Sequence, residues 1–396
     1  MPEKKYYLKF YIDIEHKKEV SEKEKVDFRK ISSIINVIKD QLVAEVVPEE
    51  NLTDKDIEKY YQEIGNIEDA GNLFSEEHFY IDDKDPSKIY AKISGNFYKE
   101  NGKFYIKEKI TVENVDFSTG NIHFVGDVVI KGDIKPGFEV KARNVFVGGN
   151  VDNSKVIAGE KIVVKGGVVG LQGSYECILR AEKTITLNFI ENSHVECNGS
   201  VYIKKSSMHT DIYSNENIVV SENPGYIVGG EIIAKKNILV RVVGSKWGTR
   251  TILKVGINPF KYLRLKEFLA RKEKREKLLE EVEKSLKYLN EVLENAKNSD
   301  EKIELEKEIE DIKAKKEKFQ KRLKRLDKII RKLKEEISEE NEKLNLDEAK
   351  IYVFEKVYPG VELRLGLNHH RIYETIEGRN CFYLDENKEV KYREFE

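Results

Sequence analysis

The chain has 396 residues, with 70 Lys and Arg against 72 Asp and Glu and a formal net charge of −2. That balance removes the simplest argument for a nucleic-acid binder, a strongly basic chain, and 17 Phe with 20 Tyr argue against disorder over most of the length. No run approaches the roughly 18 apolar residues that cross a bilayer, the opening Met1-Pro2-Glu3-Lys4-Lys5 lacks a signal-peptide core, and three scattered cysteines make neither a disulfide framework nor a zinc site, so a cytoplasmic protein is expected.

Residues 1–105 read as a small α+β domain. Tyr6 to Ile14 is strand-like. Glu22 to Ala44 sets Val26, Ile31, Ile34, Ile35 and Ile38 on one helical face, and Lys55 to Gln62 is a second candidate helix.

From 106 to 258 the sequence repeats itself. Apolar triplets begin at Val128, Val145, Ile162, Ile185, Val201, Ile218 and Ile238, in steps of 17, 17, 23, 16, 17 and 20 residues. They are rich in β-branched residues and bounded by Gly, Asn and Asp, which is strand chemistry. The two long steps are assigned to Gly-rich insertions, at Gly166-Gly167 with Gly170 and at Pro224-Gly225 with Gly229-Gly230. Four residues before five of the triplets stand small residues: Ala158, Ala181, Cys197, Ser214 and Ala234. One small residue per repeat suits a coil whose interior narrows there. Further apolar positions such as Ile134, Val140, Val151 and Val156 predict three faces per coil, hence a single-stranded β-helix.

Residues 259–348 change abruptly to Lys, Glu and Leu. Leu305, Ile309, Ile312, Lys316, Phe319, Leu323, Leu326, Ile330, Leu333 and Ile337 form a ladder of alternating four- and three-residue steps, which only Lys316 interrupts. A matching ladder runs from Leu265 through Lys272 and Arg275 to Ala296, and Lys297-Asn298-Ser299-Asp300 offers a turn with Ser299 or Asp300 as N-cap. The prediction is an inserted antiparallel coiled-coil hairpin, each arm about 50 Å long. Paired antiparallel, residues 263–284 and 313–334 together hold 20 basic and 8 acidic side chains, whereas 285–312 holds 4 basic and 9 acidic. The stalk is therefore basic near the body and acidic at its tip. Residues 349–396 resume as strands, expected to return to the β-helix and finish its end.

Ser118-Thr119-Gly120-Asn121-Ile122, Gly126-Asp127-Val128 and Gly132-Asp133-Ile134-Lys135-Pro136-Gly137-Phe138 resemble the flagellar assembly protein A (FapA) family. Gly166-Gly167-Val168-Val169-Gly170, Thr251-Ile252-Leu253-Lys254-Val255-Gly256 and the return segment Val357-Tyr358-Pro359-Gly360-Val361 continue the resemblance across roughly residues 95–370. It implies a right-handed β-helix similar to bactofilins and to the C-terminal domain of the division inhibitor MinC. It implies a non-enzymatic scaffold role, with a link to flagellar assembly or to cell-pole or cell-surface organisation. The first 95 residues depart from the Gly/Pro-rich opening common in the family.

Catalytic chemistry is not evident. No P-loop, Gly-x-Ser-x-Gly or His-Glu-x-x-His run occurs, and neither a cofactor nor a metal site is expected. Asp127 and Asp133 each follow Gly, where Asp is ordinary turn chemistry. His369-His370 sit next to each other on a strand and so point to opposite faces. The alternative from another class is a polysaccharide-binding or polysaccharide-modifying β-helix, which would carry a cluster of exposed carboxylates and aromatics. The expected partners are proteins and further copies of the chain; nucleic acid is disfavoured, because the basic run lacks aromatics beyond Phe319. Candidate contact residues are Trp247 and Arg250 near the end of the repeats, and Lys313, Lys316, Arg322 and Arg325 on the basic stalk.

Overall fold

A computed structural model of the chain describes residues 5–12, 34–52, 61–64, 66–173, 176–295, 298–343 and 349–395. The centre is a β-solenoid of about eight turns, built from parallel strands and wound in three faces. The apolar triplets form one face in register: Val128 pairs with Val145, Val145 with Ile162, Ile162 with Ile185, and so on to Ile238 and Ile351. The small residues form a second column, Ala142, Ala158, Ala181, Cys197, Ser214 and Ala234, continued by Val255 and Leu365. A third column runs through Val115, Ile134, Val151, Val168, Ile190, Ser207, Ile227, Val243 and Val357. Nearly all of these side chains are buried in one continuous core, which at about 25 cal/mol per Å² of apolar area is the principal stabilising term.

One insertion differs from expectation. Gly166 and Gly167 lie within the ladder: Gly166 N donates to Gly149 O, and Gly167 pairs with Phe189. A Cβ at Gly167 would sit 2.1 Å from the Phe189 ring, so glycine is kept for a close approach. The additional residues follow Gly170, between Val169 and Ile178. Cys177 closes that insertion and is fully buried in the core.

The N-terminal region is two antiparallel sheets around a cluster of Phe10, Phe74, Phe79, Phe97 and Phe104. Tyr6–Phe10 is a strand, as expected. The helix expected over 22–44 is not formed in its described part: Asn36–Val37 and Leu42–Pro48 are strands, and Ile38 is 57% exposed rather than core. Pairing of Leu42–Pro48, rich in Val, with Tyr6–Phe10 and Lys88–Ala91, after a left-handed turn residue at Asp40 (φ 64°), overrides the helical spacing. Residues 22–33 lie outside the described residues. So do most of 55–62, although Tyr61 and Gln62 begin a strand rather than end a helix. Among the described residues the one α-helix here is α1 (Ile67–Leu73), N-capped by Asn66. Asn36 docks the region on the first coil, donating to His123 O and accepting from Val125 N, as a pairing strand would.

After Val255 the solenoid is interrupted by α2 (Pro259–Asn295) and α3 (Ser299–Lys343), of 37 and 45 residues. Asn258 caps α2, its Oδ1 accepting from the amides of Phe260 and Lys261 ahead of which Pro259 needs no donor. The α3 cap falls one residue earlier than expected: Asn298 O accepts from Lys302 N, so Ser299 and Asp300 are already helical. Cross-helix pairs Lys261–Glu336, Lys272–Asp327 and Lys316–Glu283 fix an antiparallel hairpin. Lys316 and Lys272, two of the polar breaks in the ladders, each find a carboxylate across the seam. Ile351 then resumes pairing with Ile238.

The last coil is covered by strands running the opposite way. Asn368–Arg371 pairs with Val361–Leu365, Ile376–Glu377 with Lys356-Val357, and Asn380–Leu384 with Ile351 to Val353.

Candidate interaction surfaces

The corner between the third face and the small-residue face is turned by Gly229 alone in one coil, between Val228 and Gly230. In the next coil the same corner carries residues 244–250. Gly244 (φ 80°) and Gly248 (φ 67°) take left-handed conformations there, Gly248 N donates to Ser245 O, and the Ser245 and Thr249 hydroxyls lie 2.7 Å apart. This tight loop pushes Trp247 outward, to 94% exposure. Arg250 stands beside it, with Nε 3.4 Å from Glu362. The next coil turns directly beneath: a Cβ on Gly360 would lie 2.8 Å from Gly248 O, and Gly360 N donates to Ile372 O. Because Ile372 is buried, its neighbour Tyr373 points out and is 78% exposed, with the Arg371 guanidinium 6.0 Å from its ring. Two projecting aromatics and three cations, Lys246, Arg250 and Arg371, therefore share one corner.

The stalk is anchored on the small-residue face by a buried polar joint. Glu231 accepts from the hydroxyls of Tyr213 (3.1 Å) and Tyr262 (3.0 Å), and from the ammonium groups of Lys266 (2.9 Å) and Lys254. Lys254 also donates to the Tyr262 hydroxyl and lies over its ring. Burial alone would push the Glu231 carboxyl up, but the Lys254 and Lys266 hydrogen bonds and charges outweigh it and hold it at about 2. At Lys254 burial prevails over Glu231, and its ammonium is displaced down. Burial, then the Glu231 charge, raises Tyr262 to about 12. Tyr213 and Ile233 meet Tyr262 and Leu263 alongside.

Along α3 the apolar ladder faces α2, with Ile309, Leu323, Leu326, Ile330, Leu333 and Ile337 buried. Lys313, Arg322 and Arg325 are exposed and have no ion pair among the described residues, whereas Lys316 is half-buried and paired with Glu283.

Residues 108–390 match the family model of the flagellar assembly protein A β-solenoid domain. The chain belongs to the FapA family. No curated protein and no solved structure matches it significantly. The family match spans the solenoid, the stalk and most of the reversed C-terminal strands, and begins just after the N-terminal sheets.

The six expected contact residues do not form one patch. Trp247 and Arg250 lie on the corner just described, while Lys313, Lys316, Arg322 and Arg325 lie on α3, and no hydrogen bond or ion pair joins the two groups among the described residues. Tyr373 and Arg371 were missed from sequence. No regular period signals them: the strand Asn368–Arg371 ends before Ile372, whose burial leaves both its neighbours exposed.

Three carboxylates on the solenoid are firmly engaged. Asp127 accepts from Arg143 and Asn144, Asp133 from Asn150 N and Lys135, and Glu196 meets Arg180 and His194. Burial raises Asp127 and Glu196, but these partners hold both below the usual carboxylate range; the Asn150 amide and Lys135 do the same for Asp133. Burial pushes all three thiols up, Cys197 to about 11, the opposite of an activated nucleophile. Among the described residues no group of three or more His, Cys, Asp or Glu could hold a metal ion, and no helix is long and apolar enough to cross a membrane.

Proposed function

We propose that the chain is a non-enzymatic scaffold in flagellar assembly or in cell-pole or cell-surface organisation, holding protein partners and copies of itself on a rigid cytoplasmic rod. The observation that carries this reading is the corner bearing Trp247 and Tyr373. Large aromatics held outward on tightly hydrogen-bonded backbone, ringed by Arg, are the composition of an interface anchor, and exposing them without a partner has a solubility cost. A rigid solenoid keeps the corner and the stalk base at fixed separation, which is what a scaffold needs. The test is affinity isolation with the full chain and with a Trp247→Ala/Tyr373→Ala variant. Proteins recovered with the first and lost with the second, with the unfolding midpoint unchanged, are the expected result. Equal recovery by both chains would sink the assignment of this corner.

A further inference from the structure

The solvent-facing side of α3 changes sign at one place. From 303 to 311 it is acidic with one base, Lys307; from 313 to 326 it is basic with one acid, Glu317. Glu306, Lys307, Asp311, Lys313, Glu317 and Lys318 are all exposed, on the side of the helix away from the α2 seam. Five of the six have no ion pair among the described residues, and Glu317 has only an exposed bridge to Lys321 at 3.7 Å.

Reflected about Ile312, the acidic stretch 304–311 falls against the basic stretch 313–320, and beyond it Lys302 falls opposite Arg322. Lys307 then lies opposite Glu317 on the facing side and Glu306 near Lys318, while Asp311 and Lys313, about 200° apart around the helix, flank the contact and add to the attraction between the stretches. Glu310 comes opposite Ala314, whose small side chain lets two helices approach. A parallel, in-register pairing would instead set every charge against itself.

We propose that a second copy of this chain docks antiparallel along α3, with the two-fold axis passing at Ile312. The contact is isologous, so each complementary pair occurs twice. The α3 helices overlap over residues 299–325, about 40 Å, and the two solenoids are held at opposite ends roughly 90 Å apart. No apolar seam lies on this side of α3, so the pairing is electrostatic, weak and sensitive to salt. The proposal deepens the scaffold reading and rests on it, since it names how copies meet.

Light scattering on the full chain tests it. In about 0.05 M salt the mass rises with concentration from the 46.0 kDa of one chain towards twice that value, and in about 0.5 M salt it stays at one chain. Lys313→Glu/Lys318→Glu and Glu306→Lys/Asp311→Lys variants each dimerise at least about tenfold more weakly, and an equimolar mixture of the two recovers pairing. These positions are exposed, so both variants fold. A wild-type chain that stays monomeric at low salt, dimers indifferent to the reversals, or a mixture that does not pair would each overturn the proposal. So would a monomer that binds a short DNA duplex, which would assign the basic run to phosphate. Failure here leaves the Trp247–Tyr373 corner untouched, because partner recovery at that corner is a separate measurement.

Discussion

Glu231 carries the joint between rod and stalk, and its chemistry has a pH signature. Its folded pKa of about 2 lies below the ordinary 4.5, so its stabilisation is fully present above pH 4.5 and is lost as pH falls from there through about 2. That displacement corresponds to on the order of 3 kcal/mol, of which the downward displacement of Lys254 returns a part. Glu231→Gln leaves a buried ammonium without its counter-charge and is expected to cost about 3 kcal/mol at pH 7. In urea unfolding against pH, the wild type should lose its advantage over the variant between pH 4.5 and 2; a constant difference would contradict the assignment. Ser207 has the opposite character. It interrupts the apolar third column between Ile190 and Ile227, is fully buried, and its hydroxyl has no hydrogen-bond partner among the described residues. Ser207→Ala is expected to raise stability by about 1 kcal/mol, read as a higher urea midpoint, and a loss of stability would show that the hydroxyl is satisfied.

At the scale of elements, the stalk stands on its seam. Leu326 is buried between the helices at 6% exposure, so Leu326→Ala should cost about 2–3 kcal/mol and lower the helical circular dichroism signal before the β signal, because the solenoid core does not include it. Simultaneous loss of both signals would mean that stalk and rod unfold as one unit. The repeats and the stalk were legible because burial imposes a period on sequence: the triplets and the small column are the two registers a coil must repeat, and the ladders of α2 and α3 appear residue by residue, including Lys316 as the paired polar break. What was not legible has local causes. In the stretch from Ile34 to Ile38, apolar spacing fits a helix equally well, and only pairing with the neighbouring strands decides. Gly166-Gly167 looked like part of an insertion because a glycine required by the Phe189 ring is indistinguishable in sequence from one in an inserted loop. The exposed corner was half legible: Trp247 stood out by type, whereas Tyr373 depends on which side of the last coil Ile372 faces.

For the whole molecule, the decisive feature is that the last coil is closed. Exposed strand edges invite pairing with other chains, and residues 349–396 were expected to finish this end; the reversed strands of residues 368–384 occupy that edge on all three faces. A chain ending at Gly366 would uncover it and should form large, salt-insensitive aggregates by light scattering; a soluble, well-folded monomer would contradict the capping role. With that end closed, the contacts proposed above fall on the corner and the stalk. The most direct test of that claim is photo-crosslinking in living cells, with a photoreactive phenylalanine analogue placed in turn at Trp247, at Tyr373 and at Tyr202, an exposed site on the triplet face. The account predicts that protein crosslinks concentrate at the first two positions, and equal yields at all three, or crosslinks at Tyr202 alone, would contradict it.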